Sequence, residues 1–145
     1  MKPLLCNGYP TQSIWANDLL AKKRGYDIPI GTFWAVSIHD HVPSTIQNLE
    51  NQPYLKDLIK ANPKDLLGPG LNTTDFIQCV YLDAKDNLSI QVHPDDAYAQ
   101  THAHDNGKFE TWYILDAKPG ATLVGGTTTT DANIIKKELL SGEIK

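Results

Sequence analysis

The chain has 145 residues, with 13 basic side chains against 17 acidic ones and a net charge of −4 with histidine neutral. That length suits one domain able to bury roughly 68–70% of its extended-chain surface. The opposite charges are interspersed and form no basic stripe, which argues against a nucleic-acid or anionic-membrane partner. No segment approaches the roughly 20 apolar residues of a membrane span, and the amino-terminal apolar run is too short for a signal peptide. Cys6 and Cys79 stand far apart, outside any Cys-x-x-Cys spacing, which reads as reduced thiols and a cytoplasmic location. Cys79 is expected in the core.

Residues 1–32 hold Gly8, Pro10, Gly25, Pro29 and Gly31 among short apolar clusters, predicting extended segments joined by turns and a short helix around Ile14 to Lys23. Phe33 to Ile38 is predicted as a strand. Tyr54 to Ala61 is predicted as a helix, because Leu55, Leu58 and Ile59 fall at i, i+3 and i+4 behind Pro53, and Pro63 stops it. Phe76 to Asp83 and Leu88 to Val92 read as strands joined through Lys85-Asp86-Asn87, and Pro94-Asp95-Asp96 opens a short helix toward Gln100. Glu110 to Leu115 and Ala121 to Val124 read as strands around the turn Lys118-Pro119-Gly120. Asp131 to Leu140 reads as an amphipathic helix ended by Gly142. Short strands punctuated by turns predict an all-β sandwich or barrel with a few helices.

Side chains of a strand alternate between its faces. In Leu88-Ser89-Ile90-Gln91-Val92-His93, Leu88, Ile90 and Val92 are therefore expected to point into a core, while Ser89, Gln91 and His93 share the other face. Glu110 opens a second strand carrying Trp112 and Ile114. A carboxylate there is either in water at a strand end or needs a partner, because an unpaired buried charge is costly. Read from the residues, two arrangements stay open. One is a metal held by Gln91, His93 and Glu110, since zinc accepts imidazole nitrogen and carboxylate oxygen. The other is a histidine at the mouth of a turn, a glutamine hydrogen-bonded along its strand and an exposed glutamate. His39, His41, His102 and His104 are read as solvated loop histidines, and Trp15, Trp34 and Trp112 as core.

The segments Leu88-Ser-Ile-Gln-Val-His-Pro-Asp-Asp96, Gly107-Lys-Phe-Glu-Thr-Trp-Tyr-Ile-Leu115 and Asp116-Ala-Lys-Pro-Gly-Ala-Thr-Leu-Val-Gly-Gly126 closely resemble the signature region of the type I mannose-6-phosphate isomerases, zinc enzymes of the cupin superfamily. The resemblance reaches more weakly through Ile14-Trp15, Ile30-Gly31, Trp34 and Leu82-Asp83-Ala84. It implies a cupin-like jelly roll, one bound zinc ion on Gln91, His93 and Glu110, and substrate-phosphate contacts from Ser89 and Lys108, with Lys108 also catalytic. The implied reaction interconverts mannose 6-phosphate and fructose 6-phosphate through an enediol. The family's fourth zinc ligand, a histidine in an Ile-Pro-Ala-Gly-Thr-x-His segment, has no counterpart here. Thr32 and Ala35 stand where the family commonly has glutamate, and Val80 where a phosphate-contacting lysine is usual. The expectation is therefore a single catalytic-type domain over residues 1–145 that corresponds to the amino-terminal portion of such an isomerase, with an incomplete jelly roll. A non-catalytic cupin that binds sugar or metal, or an inactive fragment, are the alternatives.

Overall fold

The computed structural model describes residues 2–142, which gather into two compact units, Met1–Ser89 and Ile90–Lys145. In the first unit the chain runs through β1 (Cys6–Asn7), β2 (Tyr9–Thr11), α1 (Leu19–Arg24), β3 (Thr32–Val36), β4 (Thr45–Ile46), α2 (Leu55–Ala61), α3 (Pro63–Leu66), a 3-10 turn (Thr73–Asp75) and β5 (Cys79–Leu82). The second unit holds α4 (Asp96–Ala103) and α5 (Ala132–Ser141).

Two open antiparallel sheets organise the first unit. β1 pairs with β4, and β3 is the middle strand of the order β2-β3-β5, with Tyr9 opposite Trp34 and Trp34 opposite Val80. The run Phe33-Trp34-Ala35-Val36 suits a middle strand, since apolar side chains there meet neighbours on both edges. Phe33 is buried with Ala21 and Ile30 under Leu20, Tyr26 and Ala35. A second cluster joins Ile46, Leu55 and Ile59, roofed by Cys6, Val36, Ile38, Leu58 and Phe76 among others. Leu55 and Ile59 are one turn apart on α2, so the helix delivers a single apolar stripe onto β4. Backbone bonds from Leu55 N to Ser44 O and from Ile46 N to Pro53 O, each 2.9 Å, tie that helix to the strand.

Where the structure departs from the expectations, a specific long-range contact explains it. The first helix starts at Leu19 rather than Ile14, because Ala16 and Asn17 are drawn into bridges with Ala84 and Ile30. One of its amino-terminal N–H groups is served from across the chain: Asp83 accepts from Leu20 N at 2.7 Å, and also from the side-chain Nδ2 of Asn17, just before the helix, at 3.1 Å. This gives Asp83 of the Leu82-Asp83-Ala84 motif a structural task. Replacing it with alanine is expected to cost about 1–2 kcal/mol, the loss of a helix cap and of a charge-assisted hydrogen bond. An unchanged denaturation midpoint for Asp83→Ala would show that other groups hold this junction.

Pro63 does end α2, and it then serves as the first residue of α3. The strand expected from Phe76 begins only at Cys79, after the 3-10 turn closed by Asn72 and Asp75. Cys79 is exposed rather than buried, because β5 is an edge strand; both cysteines are free.

In the second unit, residues expected as strands at 88–92, 110–115 and 121–124 carry no ladder among the described residues. Their alternation describes side chains only; a strand also needs a neighbour for its backbone N–H and C=O groups. Ile90 and Val92 are 50% and 80% exposed, and Trp112 is 44% exposed, so none of the three is a core residue here. Among the described residues the sheets are open and close no barrel. The last helix matches its signals: Asp131 accepts from Asn133 N at 2.8 Å, and Gly142 at φ +74° ends it. No helix among the described residues is long and apolar enough to cross a membrane.

Candidate metal centre

The site grows from one helix and the turn that feeds it. Asp95 caps α4 by accepting from Tyr98 N at 2.8 Å, and His104, at φ +54°, ends that helix in the left-handed conformation. The chain then returns toward its starting point. Gly107 N donates to Asp96 Oδ1 at 2.8 Å, and Lys108 N donates to Pro94 O at 3.1 Å. A Cβ at Gly107 would lie 2.6 Å from Asp95 C and Asp96 N and 2.8 Å from Pro94 O, so only glycine allows this approach. The turn 93–96 is thereby clamped backbone to backbone against 107–108.

That clamp sets His93 beside Glu110. His93 Nε2 donates to Glu110 Oε2 at 2.7 Å, and Lys108 Nζ lies 3.3 Å from the same oxygen. Partial burial of Glu110 works to raise its carboxyl pKa, but the His93 hydrogen bond and the Lys108 charge outweigh it and hold it below the usual carboxylate value. The carboxylate is therefore ionised at neutral pH, the form in which it ligates a metal or pairs with a cation.

Of the residues the sequence singled out, the structure brings together His93, Lys108 and Glu110. Gln91 is two residues before His93 on the same segment, and Ser89 closes the first unit. An imidazole nitrogen and a carboxylate oxygen facing each other are a donor pair of the kind zinc accepts. Among the described residues no group of three or more His, Cys, Asp and Glu side chains is arranged to hold a metal. Three of the other histidines, His102, His39 and His41, are engaged elsewhere. His102 is stacked on Tyr98 at 3.9 Å with its Nδ1 against Tyr98 O, and His39 and His41 neighbour each other in the first unit. The positioning residues Asp95, Asp96 and Gly107 were not legible as such. The spacing of Pro94-Asp95-Asp96 signals a helix start, but only the returning chain shows that Asp96 and Gly107 bond to each other.

Residues 10–120 match the family described as phosphomannose isomerase type I, catalytic domain. The chain belongs to the type I phosphomannose isomerase family. A mannose-6-phosphate isomerase of Streptococcus mutans is 32% identical over 145 residues, covering 98% of this chain and 46% of that protein. A probable mannose-6-phosphate isomerase of Bacillus subtilis, GmuF, is 33% identical over 97% of this chain and again 46% of its own length. The crystal structure of a mannose 6-phosphate isomerase from Bacillus subtilis superimposes with a TM-score of 0.86 at 32% identity, covering 99% of this chain and 47% of that one. The chain thus spans about half the length of the relatives it matches. The Gly107 clamp and the His93, Lys108 and Glu110 cluster all fall within the residues that match the type I phosphomannose isomerase family.

Proposed function

We propose that this chain carries the metal- and phosphate-binding part of a cytoplasmic, zinc-dependent aldose–ketose isomerase acting on mannose 6-phosphate and fructose 6-phosphate. The observation that carries the reading is the convergence of His93 and Lys108 on one carboxylate oxygen of Glu110, at 2.7 and 3.3 Å, inside the span matched to the type I phosphomannose isomerase family. In this reading residues 1–145 act as one catalytic-type domain, and its sheets belong to a cupin jelly roll.

His93 and Glu110 would hold zinc, with Gln91 as a neutral oxygen ligand. Zinc, when bound, supplies Lewis acidity that polarises the sugar carbonyl. The chain's own residues supply the rest. Glu110 is held ionised by Lys108 and His93, so its charge is ready before a ligand arrives. Lys108 is a compact, flexible point charge whose ammonium would neutralise substrate phosphate or assist proton transfer. Ser89 enters on its motif alone, as the phosphate-contacting hydroxyl that the resemblance implies. The proton that leaves C2 of the aldose returns at C1 of the enediol.

A coupled isomerase assay on mannose 6-phosphate, with zinc titrated into metal-stripped protein, tests this reading. Zinc-dependent turnover is expected, together with tighter binding of mannose 6-phosphate than of mannose and loss of that preference in Lys108→Ala. Equal binding of the two sugars would overturn the assignment of Lys108. A second reading, a chain that binds zinc or sugar without turnover, is favoured by the lack of a third His, Cys, Asp or Glu beside His93 and Glu110 among the described residues. Zinc binding with no turnover at any zinc level would select it.

A further inference from the structure

The first unit carries an open groove of about 410 Å3 lined by Cys6, Asn7, Gly8, Arg24, Tyr26, Phe33 and Gln47. Its volume lies in the range of small-molecule sites. We propose that this groove is a second binding site, for a small organic anion carrying a carboxylate or a phosphomonoester, with Arg24 as its anchor.

The charge balance of the groove is one-sided. Arg24 is the charged residue of the lining, and among the described residues it makes no ion pair. Burial pushes the Cys6 thiol pKa up, so Cys6 stays neutral and does not oppose an incoming anion. A guanidinium presents five donors and no acceptor, in a fork that matches a carboxylate or phosphate.

The guanidinium is also held in place before any ligand arrives. It lies 4.2 Å from the Phe33 ring centroid and 5.6 Å from that of Tyr81. Stacking on aromatic faces restricts an otherwise flexible side chain, so less entropy is lost when it binds. Phe33 cannot yield, because it is buried at 5% exposure with its ring seated on Gly8; a Cβ there would stand 2.3 Å from Phe33 Cζ. Asn7 is likewise fixed, its Nδ2 donating to Thr45 Oγ1 and Gln52 Oε1 at 3.1 Å each. Gln47 adds a side-chain amide to the lining, with both donor and acceptor capacity.

Calorimetric titration of the metal-stripped chain with phenyl phosphate, benzoate and neutral phenol tests the site. Saturable binding of an anion is expected, with phenol much weaker; which anion binds tighter distinguishes phosphate from carboxylate recognition. Arg24→Gln should weaken binding roughly tenfold or more, the loss of a charge-assisted pair. Lys108→Ala should leave it unchanged, which separates this groove from the phosphate contact proposed above. Should Arg24→Gln fail to fold by circular dichroism, Arg24→Lys retains the charge without the fork and should still weaken binding. Phenol binding as tightly as the anions, no saturable binding at all, or full affinity in a folded Arg24 variant would overturn the proposal.

Discussion

Glu110→Gln is expected to lower zinc affinity by more than the roughly 10–100-fold that loss of an outer-shell partner costs, and to remove zinc-dependent turnover with it. The substitution keeps shape and oxygen position but removes the charge. In the wild type that charge is held ionised by His93 at 2.7 Å and Lys108 at 3.3 Å. Partial exposure of the cluster keeps its contribution to folding small, so the variant should melt close to the wild type while failing to compete with a chromophoric chelator for zinc. Wild-type zinc affinity in Glu110→Gln would remove Glu110 from the ligand set and leave the His93 contact as an ordinary surface pair. His93→Ala should give a matching loss of affinity, since one nitrogen and one oxygen donor face the same space.

Gly107→Ala is expected to damage the site without touching a single proposed ligand. The added methyl would meet three backbone atoms of 94–96 at 2.6–2.8 Å, and backbone cannot swing aside as a side-chain tip can. Relief requires the segments 93–96 and 107–110 to part, breaking Gly107 N to Asp96 Oδ1 and Lys108 N to Pro94 O. Overpacking of this kind costs about 1–3 kcal/mol, and misplacing reacting groups by about 1 Å lowers turnover on the order of 100-fold. Thermal unfolding and zinc titration of the same preparation separate the two effects. A variant that retains wild-type zinc affinity would mean that His93 and Glu110 meet without the clamp.

His93 and Glu110 stand out in the sequence because their side chains suit metal chemistry and their motifs resemble a known family; that they lie 2.7 Å apart is a finding of the structure. Part of the secondary structure was legible for a different reason. α2 follows from Leu55, Leu58 and Ile59 at helical spacing, and α5 from an aspartate cap and a closing glycine, signals that act within a few residues. The failures share one cause. Alternation at 88–92 and 110–115 predicts strand, yet a ladder depends on where another stretch of backbone lies, and no ladder forms there among the described residues. Residue type predicts Cys79 in the core, whereas its exposure follows from β5 being an edge. The residues of Ile14 to Asn17 permit a helix, but bridges to Ile30 and Ala84 hold that backbone instead.

By itself the sequence determined which chemistry this protein can hold: the imidazole, carboxylate, amide and ammonium groups of 91–110, and the local signals that start and stop α2 and α5. Those are properties of single residues and their nearest neighbours along the chain. The tertiary structure alone decided that Asp83 would cap a helix more than 60 residues before it, that Asp96 would bond Gly107, and that Arg24 would lie on Phe33 without a carboxylate partner. Each of these is a contact between groups whose separation in space no local propensity encodes. It is set when the burial of the two apolar clusters fixes where the strands and helices that carry those groups come to rest.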